Sequence, residues 1–388
     1  MNMMTDGPRI LLNRSKSIII RQMIAEYLYN AHLMEVLPSD SGDVKTIHNC
    51  LKVIDSAKGN VRSITPVDVG DCGAAYRFLL ALLSVTKGNW LLTGSPRLLV
   101  RPIAPLVSAL TDAGAHIQQT DNGWHIRGRE WNASKMTVDC SQSSQFASAL
   151  LLISKKIGLG DLTVTPDIPP SAPYITLTQH VLEDTLSGSR SYDNEGDWSS
   201  AAFWYACLAI SPHLHSLRLA DLDLNSLQGD RAVARFFESF GIQSIQTGHD
   251  VVIQKASHPD VGILSLDLSR TPDLAPILAA FAVAYPADLK MSGLQNLNLK
   301  ESHRLKLLEE VLSIFAPTKV TDDSTLQVIG TQRYDKQGAP ITLSTHQDHR
   351  MVMAFTLLQS RYPIQLDGVE CVSKSYPDFL SQLLSIRP

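Results

Sequence analysis

Six short segments of the 388-residue chain are apolar on almost every side, and each follows a small polar or charged residue. They begin at Ser15, Asp71, Ser143, Ser199, Asp273 and Asp348. Their length and continuous apolar character predict helices of about ten to twelve residues. A helix without a polar face must be surrounded by other elements, so we expect these six to be buried. None is long enough to cross a bilayer, which takes about 20 apolar residues.

A second unit recurs between these segments and consists of an amphipathic helix followed by a β-hairpin. It follows Arg101, Arg231 and Arg304, and a glycine marks the turn of the first two hairpins. The first and third intervals between the apolar segments span 56 residues each, whereas the other three span 72 to 75. Two repeats are therefore expected to be shortened by the loss of a hairpin.

The repeats predict an α/β fold of two similar domains, each with about three repeats and with its buried helices parallel. The polar stretch at residues 187–198, just before the fourth apolar segment, is the expected boundary. The alternative is a single irregular α/β protein whose helices are similar by chance.

Charge and cysteine content exclude several classes of protein. The chain has 34 Lys and Arg against 38 Asp and Glu, a net charge of −4. No overall positive field would hold nucleic acid or an anionic membrane, so an anion must be bound by a local cluster. The five cysteines form no CxxC pair, and the N-terminus lacks the apolar core of a signal peptide. We therefore expect a soluble protein of the reducing cytoplasm.

The polar residues that open the apolar helices point to anion binding. A helix N-terminus presents unpaired N–H groups and a partial positive charge, which together attract anions. A single Ser or Asp at such a position is also an ordinary N-cap, as Ser199 and Ser200 illustrate. Cations beside apolar segments are harder to explain without an anion. They are Lys16, Arg21, Arg101, Arg304, Arg350 and Lys374.

His346 and His349 lack a third ligand at suitable spacing, and no nucleotide-binding glycine loop occurs, so we predict neither a metal nor a cofactor.

These residues lie in a series of motifs that resembles the 5-enolpyruvylshikimate-3-phosphate (EPSP) synthase family, the 3-phosphoshikimate 1-carboxyvinyltransferases. The motifs occur in the order of the family between residues 8 and 385. They are SKSIIIR from Ser15, GDCGAAYR from Gly70, LTGSPRLLVRPI from Leu92, SSQF from Ser143, SAPYI from Ser171, EGDWSSA from Glu195, NSLQGD from Asn225, Pro272-Asp273, NLNLKESHR from Asn296, DHRMVMAF from Asp348 and SKSYPDF from Ser373.

The resemblance implies two domains of three βαβαββ-type repeats each, an inside-out α/β barrel with parallel inner helices. One domain would span residues 15–194, and the other would combine residues 1–14 with 195–388. The active site would lie in the cleft between them and transfer the carboxyvinyl group of phosphoenolpyruvate to the 5-hydroxyl of shikimate 3-phosphate. The resemblance implies no cofactor, no nucleic-acid or membrane partner, and a monomer.

The resemblance also assigns roles by position. Shikimate 3-phosphate is expected on Lys16, Ser17, Arg21, Ser143, Ser144, Gln145, Ser171, Asp273, Asn296 and Lys300. Phosphoenolpyruvate is expected on Lys16, Gly73, Arg101, Gln145, Arg304, Arg350 and Lys374. Asp273 is expected to be the base for the attacking hydroxyl and Glu301 the acid at the methylene carbon, with Lys16 as the third catalytic residue.

Several positions differ from the family pattern, namely Arg14, Ile20, Asp71, Ala74 and His303. Asp71 adds a negative charge beside the expected phosphoenolpyruvate site. Either it pairs with a local cation such as Arg77 and activity persists, or the chain is a diverged, weakly active or non-catalytic ligand-binding relative. UDP-N-acetylglucosamine enolpyruvyl transferase is a further alternative, although the loop at residues 94–101 lacks the reactive cysteine of that family.

Overall fold

The structure, a computed structural model, describes residues 7–189, 194–256, 262–335 and 339–386. The helices are α1 Lys16–Ala25, α2 Gly42–Ala57, α3 Gly73–Val85, α4 Pro96–Leu99, α5 Ala104–Asp112, α6 Gln145–Ile157, α7 Pro173–Ser187, α8 Trp198–Ile210, α9 Ala232–Glu238, α10 Ala275–Ala284, α11 Arg304–Leu312, α12 His349–Leu358 and α13 Phe379–Ile386. The strands are β1 Arg9–Ile10, β2 Thr65–Asp68, β3 Gly88–Thr93, β4 His116–Thr120, β5 Gly123–Gly128, β6 Lys135–Asp139, β7 Asp161–Thr165, β8 Ser216–Leu219, β9 Ile242–Thr247, β10 Asp250–Lys255, β11 Leu264–Asp267, β12 Asp288–Ser292, β13 Thr318–Thr321, β14 Thr325–Ile329, β15 Ile341–Leu343 and β16 Ile364–Leu366.

The chain divides into two compact units. One is Lys16–Asp193, and the other joins Met1–Ser15 to Asn194–Pro388. Each unit has its own apolar core. Of the polar stretch expected at the boundary, residues 190–193 lie outside the described part of the chain.

The six predicted apolar helices are the buried helices of the structure, three in each unit. In one unit α1, α3 and α6 pack on one another, and in the other α8, α10 and α12 do so. Their side chains are buried on nearly every face, as the absence of a polar stripe predicts. The predicted α/β fold with buried inner helices is confirmed.

The repeat is also visible in the sheets. Three four-stranded sheets share one topology, with strand orders β2-β3-β5-β4, β1-β8-β10-β9 and β11-β12-β14-β13. In each sheet the first two strands are parallel, and the third and fourth form an antiparallel hairpin. The N-terminal strand β1 takes the first position of the second sheet, so the unit containing residues 194–388 includes the N-terminus.

The short intervals correspond to missing hairpins. Within the described residues, α1 is followed by α2. In the same way, α6 is followed by the single strand β7 and then by α7, and neither interval contains a hairpin. In the part of the last repeat that the structure describes, around α12, the strands are a parallel pair, β15 and β16, without a hairpin. No seventh apolar segment follows the one at Asp348 in the sequence, so the spacing between such segments could not reveal this third shortened repeat.

Two helix starts differ from the sequence-based expectation. The N-cap of α8 is Asp197, whose side chain accepts from the Ser200 amide at 3.1 Å, so Ser199 and Ser200 lie in the first turn and do not cap it. The N-cap of α3 is Cys72, one residue after Asp71. In the part of the chain that is described, no helix combines the length and apolar character that crossing a membrane requires.

Candidate active site

In the Lys16–Asp193 unit, the N-terminal ends of α1, α3 and α6 meet. Gln145, the first residue of α6, accepts a hydrogen bond at 2.7 Å from Arg77 in α3. Ser148 in the first turn of α6 accepts one at 3.3 Å from Arg21 in α1. These contacts bring the N-terminal turns of the three helices together, so the partial positive charges of the three helix dipoles lie at one place. We call the residues gathered here the Arg21 cluster: Lys16, Ser17, Arg21, Gly73, Arg77, Arg101, Gln145, Ser148, Tyr174 and Thr178.

Arg21 is a buried cation at the centre of this cluster, with only 4% of its surface exposed. Its guanidinium donates to the Ser17 carbonyl at 2.7 Å, and it lies over the rings of Phe78 and Tyr174. Its other acceptors, in the described part of the chain, are the Thr178 and Ser148 hydroxyls and the Tyr174 carbonyl, all neutral. Burial lowers the pKa of Arg21 to about 10, so the side chain remains cationic at neutral pH. Among the described residues, therefore, no carboxylate pairs with the positive charge of Arg21.

Two further cations of the cluster have different surroundings. Lys16 forms an ion pair at 3.1 Å with Asp43, a carboxylate of α2 that the sequence analysis did not identify. Arg101 lies against Gly73, where an added Cβ would come within 2.8 Å of the Arg101 Nη1 atom. Glycine at residue 73 is thus what allows the Arg101 guanidinium to approach the start of α3.

The predicted serine ligands lie at the start of α6 and just before α7, two helices that pack together. The Ser143 hydroxyl accepts from the Gln145 amide at 3.3 Å, and Ser144 is buried. Ser171 has a left-handed backbone with φ of 59°, which is uncommon for a residue other than glycine. Such conformations concentrate at functional sites because the surrounding structure must enforce them.

In the other unit, the starts of α10, α12 and α8 meet in the same way. Asp273, in the turn before α10, accepts from Arg350 of α12 at 3.3 Å. Arg350 also donates to the Ser199 hydroxyl of α8 at 3.3 Å. We call the residues gathered here the Asp273 cluster: Ser199, Asp230, Asp273, Lys300, Glu301, Arg304, Asp348, Arg350 and Lys374. Asn296 is buried in the loop after β12, four residues before Lys300.

Three cations surround the Asp273 carboxylate. Arg304 donates to it at 2.9 Å, and the Lys300 ammonium and the Arg350 guanidinium both lie at 3.3 Å. Burial by itself would raise the pKa of Asp273, but Arg350, Lys300 and Arg304 outweigh it and hold that pKa well below its usual range. Burial also lowers the pKa of Lys300, in spite of the neighbouring carboxylate.

Arg304 connects the carboxylates of this cluster and is only 1% exposed. It donates to Asp348 through Nε at 2.8 Å and Nη2 at 3.1 Å, and to Glu301 at 2.6 Å in addition to Asp273. Burial disfavours its charge, but the three carboxylates raise its pKa above the ordinary value. Glu301 also lies 3.8 Å from the Lys374 ammonium. The predicted acid and base are thus held through one shared guanidinium.

The structure corrects the partner proposed for Asp71. Its carboxylate accepts from Arg97 at 2.9 Å and from the Ser95 hydroxyl. Arg77, the cation suggested from the sequence, instead donates to Gln145 and to the Pro102 carbonyl. A neighbouring arginine therefore balances the charge that distinguishes this chain from the family pattern.

Sequence reasoning missed several members of the clusters. Thr178 and Ser148 have no distinguishing motif, because a hydroxyl within a helix is commonplace. Asp230 is the last residue of the NSLQGD motif, which was a detectable signal. It is 1% exposed and accepts from the Ser199 hydroxyl, and burial raises its pKa to about 6.

Within the described residues, no group of three or more His, Cys, Asp or Glu side chains is arranged to hold a metal.

Comparison with known proteins identifies the family of the chain. The family model of EPSP synthase (3-phosphoshikimate 1-carboxyvinyltransferase) matches residues 39–187 and 184–383. A 3-phosphoshikimate 1-carboxyvinyltransferase of Bacteroides fragilis is 34% identical over 398 aligned residues, covering 96% of this chain and 94% of the relative. One from Vibrio cholerae is 30% identical, covering 82% and 78%. The solved EPSP synthase of Acinetobacter baumannii shares the fold, with a TM-score of 0.67, 19% identity and coverage of 98% of this chain and 96% of that one.

Proposed function

Since the chain belongs to the EPSP synthase (3-phosphoshikimate 1-carboxyvinyltransferase) family, we infer that it transfers the carboxyvinyl group of phosphoenolpyruvate to the 5-hydroxyl of shikimate 3-phosphate. The reaction releases phosphate and belongs to the biosynthesis of aromatic amino acids. The observation that carries this conclusion is the similarity to 3-phosphoshikimate 1-carboxyvinyltransferases over 96% of the chain.

We propose that shikimate 3-phosphate binds the Arg21 cluster, with Asp273, Asn296 and Lys300 contributing from the other unit. The neutral surroundings of Arg21 support this, because an anion that reaches the guanidinium does not have to displace a carboxylate. Charge-assisted hydrogen bonds of this kind are about twice as strong as neutral ones. The remaining proposed contacts are Lys16, Ser17, Ser143, Ser144, Gln145 and Ser171.

We propose that phosphoenolpyruvate binds cations from both clusters. These contacts are Lys16, Gly73, Arg101, Gln145, Arg304, Arg350 and Lys374. The approach of Arg101 to Gly73 supports the part formed by α3. Arg350 and Lys374 each lie beside a carboxylate of the Asp273 cluster, so an incoming anion would share these cations with Asp273 and Glu301.

The surroundings of Asp273 suggest how substrate binding could prepare the reaction. With three cations around it, this carboxylate is a weak base in the ligand-free protein. A phosphate or carboxylate that takes over part of the charge of Arg350 and Lys300 would raise the pKa of Asp273 towards the range where it can accept a proton. We propose that Asp273 then takes the proton of the 5-hydroxyl, and that Glu301 protonates the methylene carbon of phosphoenolpyruvate.

Addition of the hydroxyl to the protonated vinyl group forms a tetrahedral ketal. Loss of a proton and of phosphate from this intermediate then leaves the enol ether, so one acid and one base near the same carbon are sufficient. Lys16 is proposed as the third catalytic residue, where its ammonium offsets charge on the reacting groups.

Cysteine chemistry bears on the compartment of the protein. The five cysteines form no disulfide in the structure, as is usual in a reducing compartment. We propose that the enzyme is cytoplasmic and acts as a monomer on small-molecule substrates.

Phosphate release tests the proposed function. The wild-type protein should release phosphate when both substrates are present, and neither substrate alone should give release. Asp273→Asn, which keeps the size of the side chain, should reduce kcat by a factor of about 100 or more. UDP-N-acetylglucosamine in place of shikimate 3-phosphate tests the alternative acceptor. A wild-type protein that releases no phosphate with the proposed pair would refute the assignment.

A further inference from the structure

We propose that the buried hydroxyls of Thr178 and Ser148 are positioning residues for Arg21 and set the affinity of the enzyme for shikimate 3-phosphate. This proposal rests on the function inferred above. Neither side chain is exposed, so both would act on the substrate through Arg21. They come from α7 and α6, whereas Arg21 lies in α1, and the guanidinium therefore joins three helices.

Two hydrogen bonds hold the Arg21 guanidinium in one orientation, through its Nε–Nη2 edge. Thr178 Oγ1 accepts from Arg21 Nε at 2.7 Å, and Ser148 Oγ accepts from Nη2 at 3.3 Å. The two hydroxyls are 2.8 Å apart, and Thr178 also reaches the Tyr174 carbonyl at 2.7 Å. Each hydroxyl accepts a hydrogen bond from the Arg21 guanidinium and donates its own O–H to another acceptor. The pair therefore forms a chain of hydrogen bonds from the guanidinium to the backbone of α7.

The chemistry of this pair suits a substrate site better than a carboxylate would. A buried arginine is usually paired with Asp or Glu, since an unpaired buried charge is unfavourable. Here hydroxyls satisfy the N–H donors and orient the guanidinium while leaving its charge in place. We infer that the arrangement keeps the charge available for an anionic substrate, at some expense of stability in the ligand-free protein.

The first test removes one hydroxyl without changing the shape of the side chain. Thr178→Val leaves the Arg21 Nε–H without its acceptor and should raise the KM for shikimate 3-phosphate about ten- to hundredfold, the usual effect of losing a hydrogen bond to a charged group. The KM for phosphoenolpyruvate should change much less. Thr178→Ser restores the hydroxyl and should return the KM to within about threefold of the wild type.

Thr185→Val is the matched control. Thr185 lies two turns later in α7, is buried, and donates to the Val181 carbonyl at 2.9 Å. Both substitutions remove a buried threonine hydroxyl from one helix, but only Thr178 contacts Arg21. Equal KM values for shikimate 3-phosphate in the two valine variants would overturn the proposal, as would an equal rise in the KM of both substrates for Thr178→Val.

A second test addresses the charge. Ser148→Asp would place a carboxylate beside Arg21, whereas Ser148→Asn adds a neutral side chain of the same size. The Asp variant should bind shikimate 3-phosphate at least tenfold more weakly than the Asn variant, measured by calorimetry with that ligand alone. Equal binding by the two variants would refute the charge argument.

Calorimetry also separates the two hypotheses. If the wild-type protein does not bind shikimate 3-phosphate, the inferred function itself fails. If the wild-type protein binds and turns over its substrates while Thr178→Val behaves like Thr185→Val, only the positioning role fails.

Discussion

Replacing Arg304 with methionine should destabilise the unit that contains the Asp273 cluster. The guanidinium makes four hydrogen bonds, two to Asp348, one to Asp273 and one to Glu301. Methionine fills a similar volume but has no N–H donor. The substitution leaves three carboxylates close together, and Asp348 is fully buried.

The expected magnitude follows from the burial of this group. A hydrogen bond to a charged partner contributes about 1.5–3 kcal/mol, but bonds that share one guanidinium are not additive. Removing one partner of a buried ion pair typically destabilises a protein by about 3–5 kcal/mol, because the remaining charge is left buried. We expect a loss in this range.

Native-state hydrogen exchange can measure this loss within one unit. The amides of α10 and α12 should exchange faster in Arg304→Met, whereas those of α3 and α6 in the other unit serve as an internal reference. Arg350→Met is the matched control, since that guanidinium is more exposed and its contacts with Asp273 and Ser199 are longer, at 3.3 Å. A loss below about 1 kcal/mol for Arg304→Met, or an equal loss for Arg350→Met, would refute the reasoning.

Three further substitutions test other contacts. Gly73→Ala would displace the Arg101 guanidinium and should raise the KM for phosphoenolpyruvate about tenfold. Binding of shikimate 3-phosphate, measured by calorimetry, should be retained. An unchanged KM for phosphoenolpyruvate would contradict the proposed role of Arg101. Asp71→Asn should change the KM for phosphoenolpyruvate by no more than about threefold, because Arg97 already balances the charge; a wild-type protein that is inactive while this variant is active would contradict that pairing. Asp230→Asn should stabilise the protein progressively as the pH rises from 4 to 7. Burial raises the pKa of the Asp230 carboxyl to about 6, so the wild type loses stability over this range as the carboxyl ionises. A difference in melting temperature that does not depend on pH would contradict burial as the cause.

Much of the architecture follows from local sequence patterns. A segment such as Ala275–Ala284 is apolar on every side, so its burial can be predicted without knowing what covers it. The strand order of the sheets is repeated because the helix–hairpin pattern is repeated. The missing hairpin after α1 is visible as a short interval between two apolar segments, whereas no seventh apolar segment follows α12 to reveal the hairpin missing there.

The partners of the charged residues could not be predicted in the same way. Asp71 contacts Arg97, which is 26 residues away, and Arg21 contacts Thr178, which is 157 residues away. Such contacts depend on how the helices pack, and the sequence offers several cations within reach of each acid. The resemblance supplied candidate ligands by position, but not the hydroxyl pair behind Arg21.

We propose that the two helix-end clusters act on one pair of anionic substrates. Calorimetry of shikimate 3-phosphate binding, with and without phosphoenolpyruvate, tests it most directly when turnover is blocked by Glu301→Gln. We predict that phosphoenolpyruvate increases the affinity for shikimate 3-phosphate at least tenfold, and that the reverse titration shows the same factor, as linkage requires. An affinity that does not change when the second substrate is present would contradict the account.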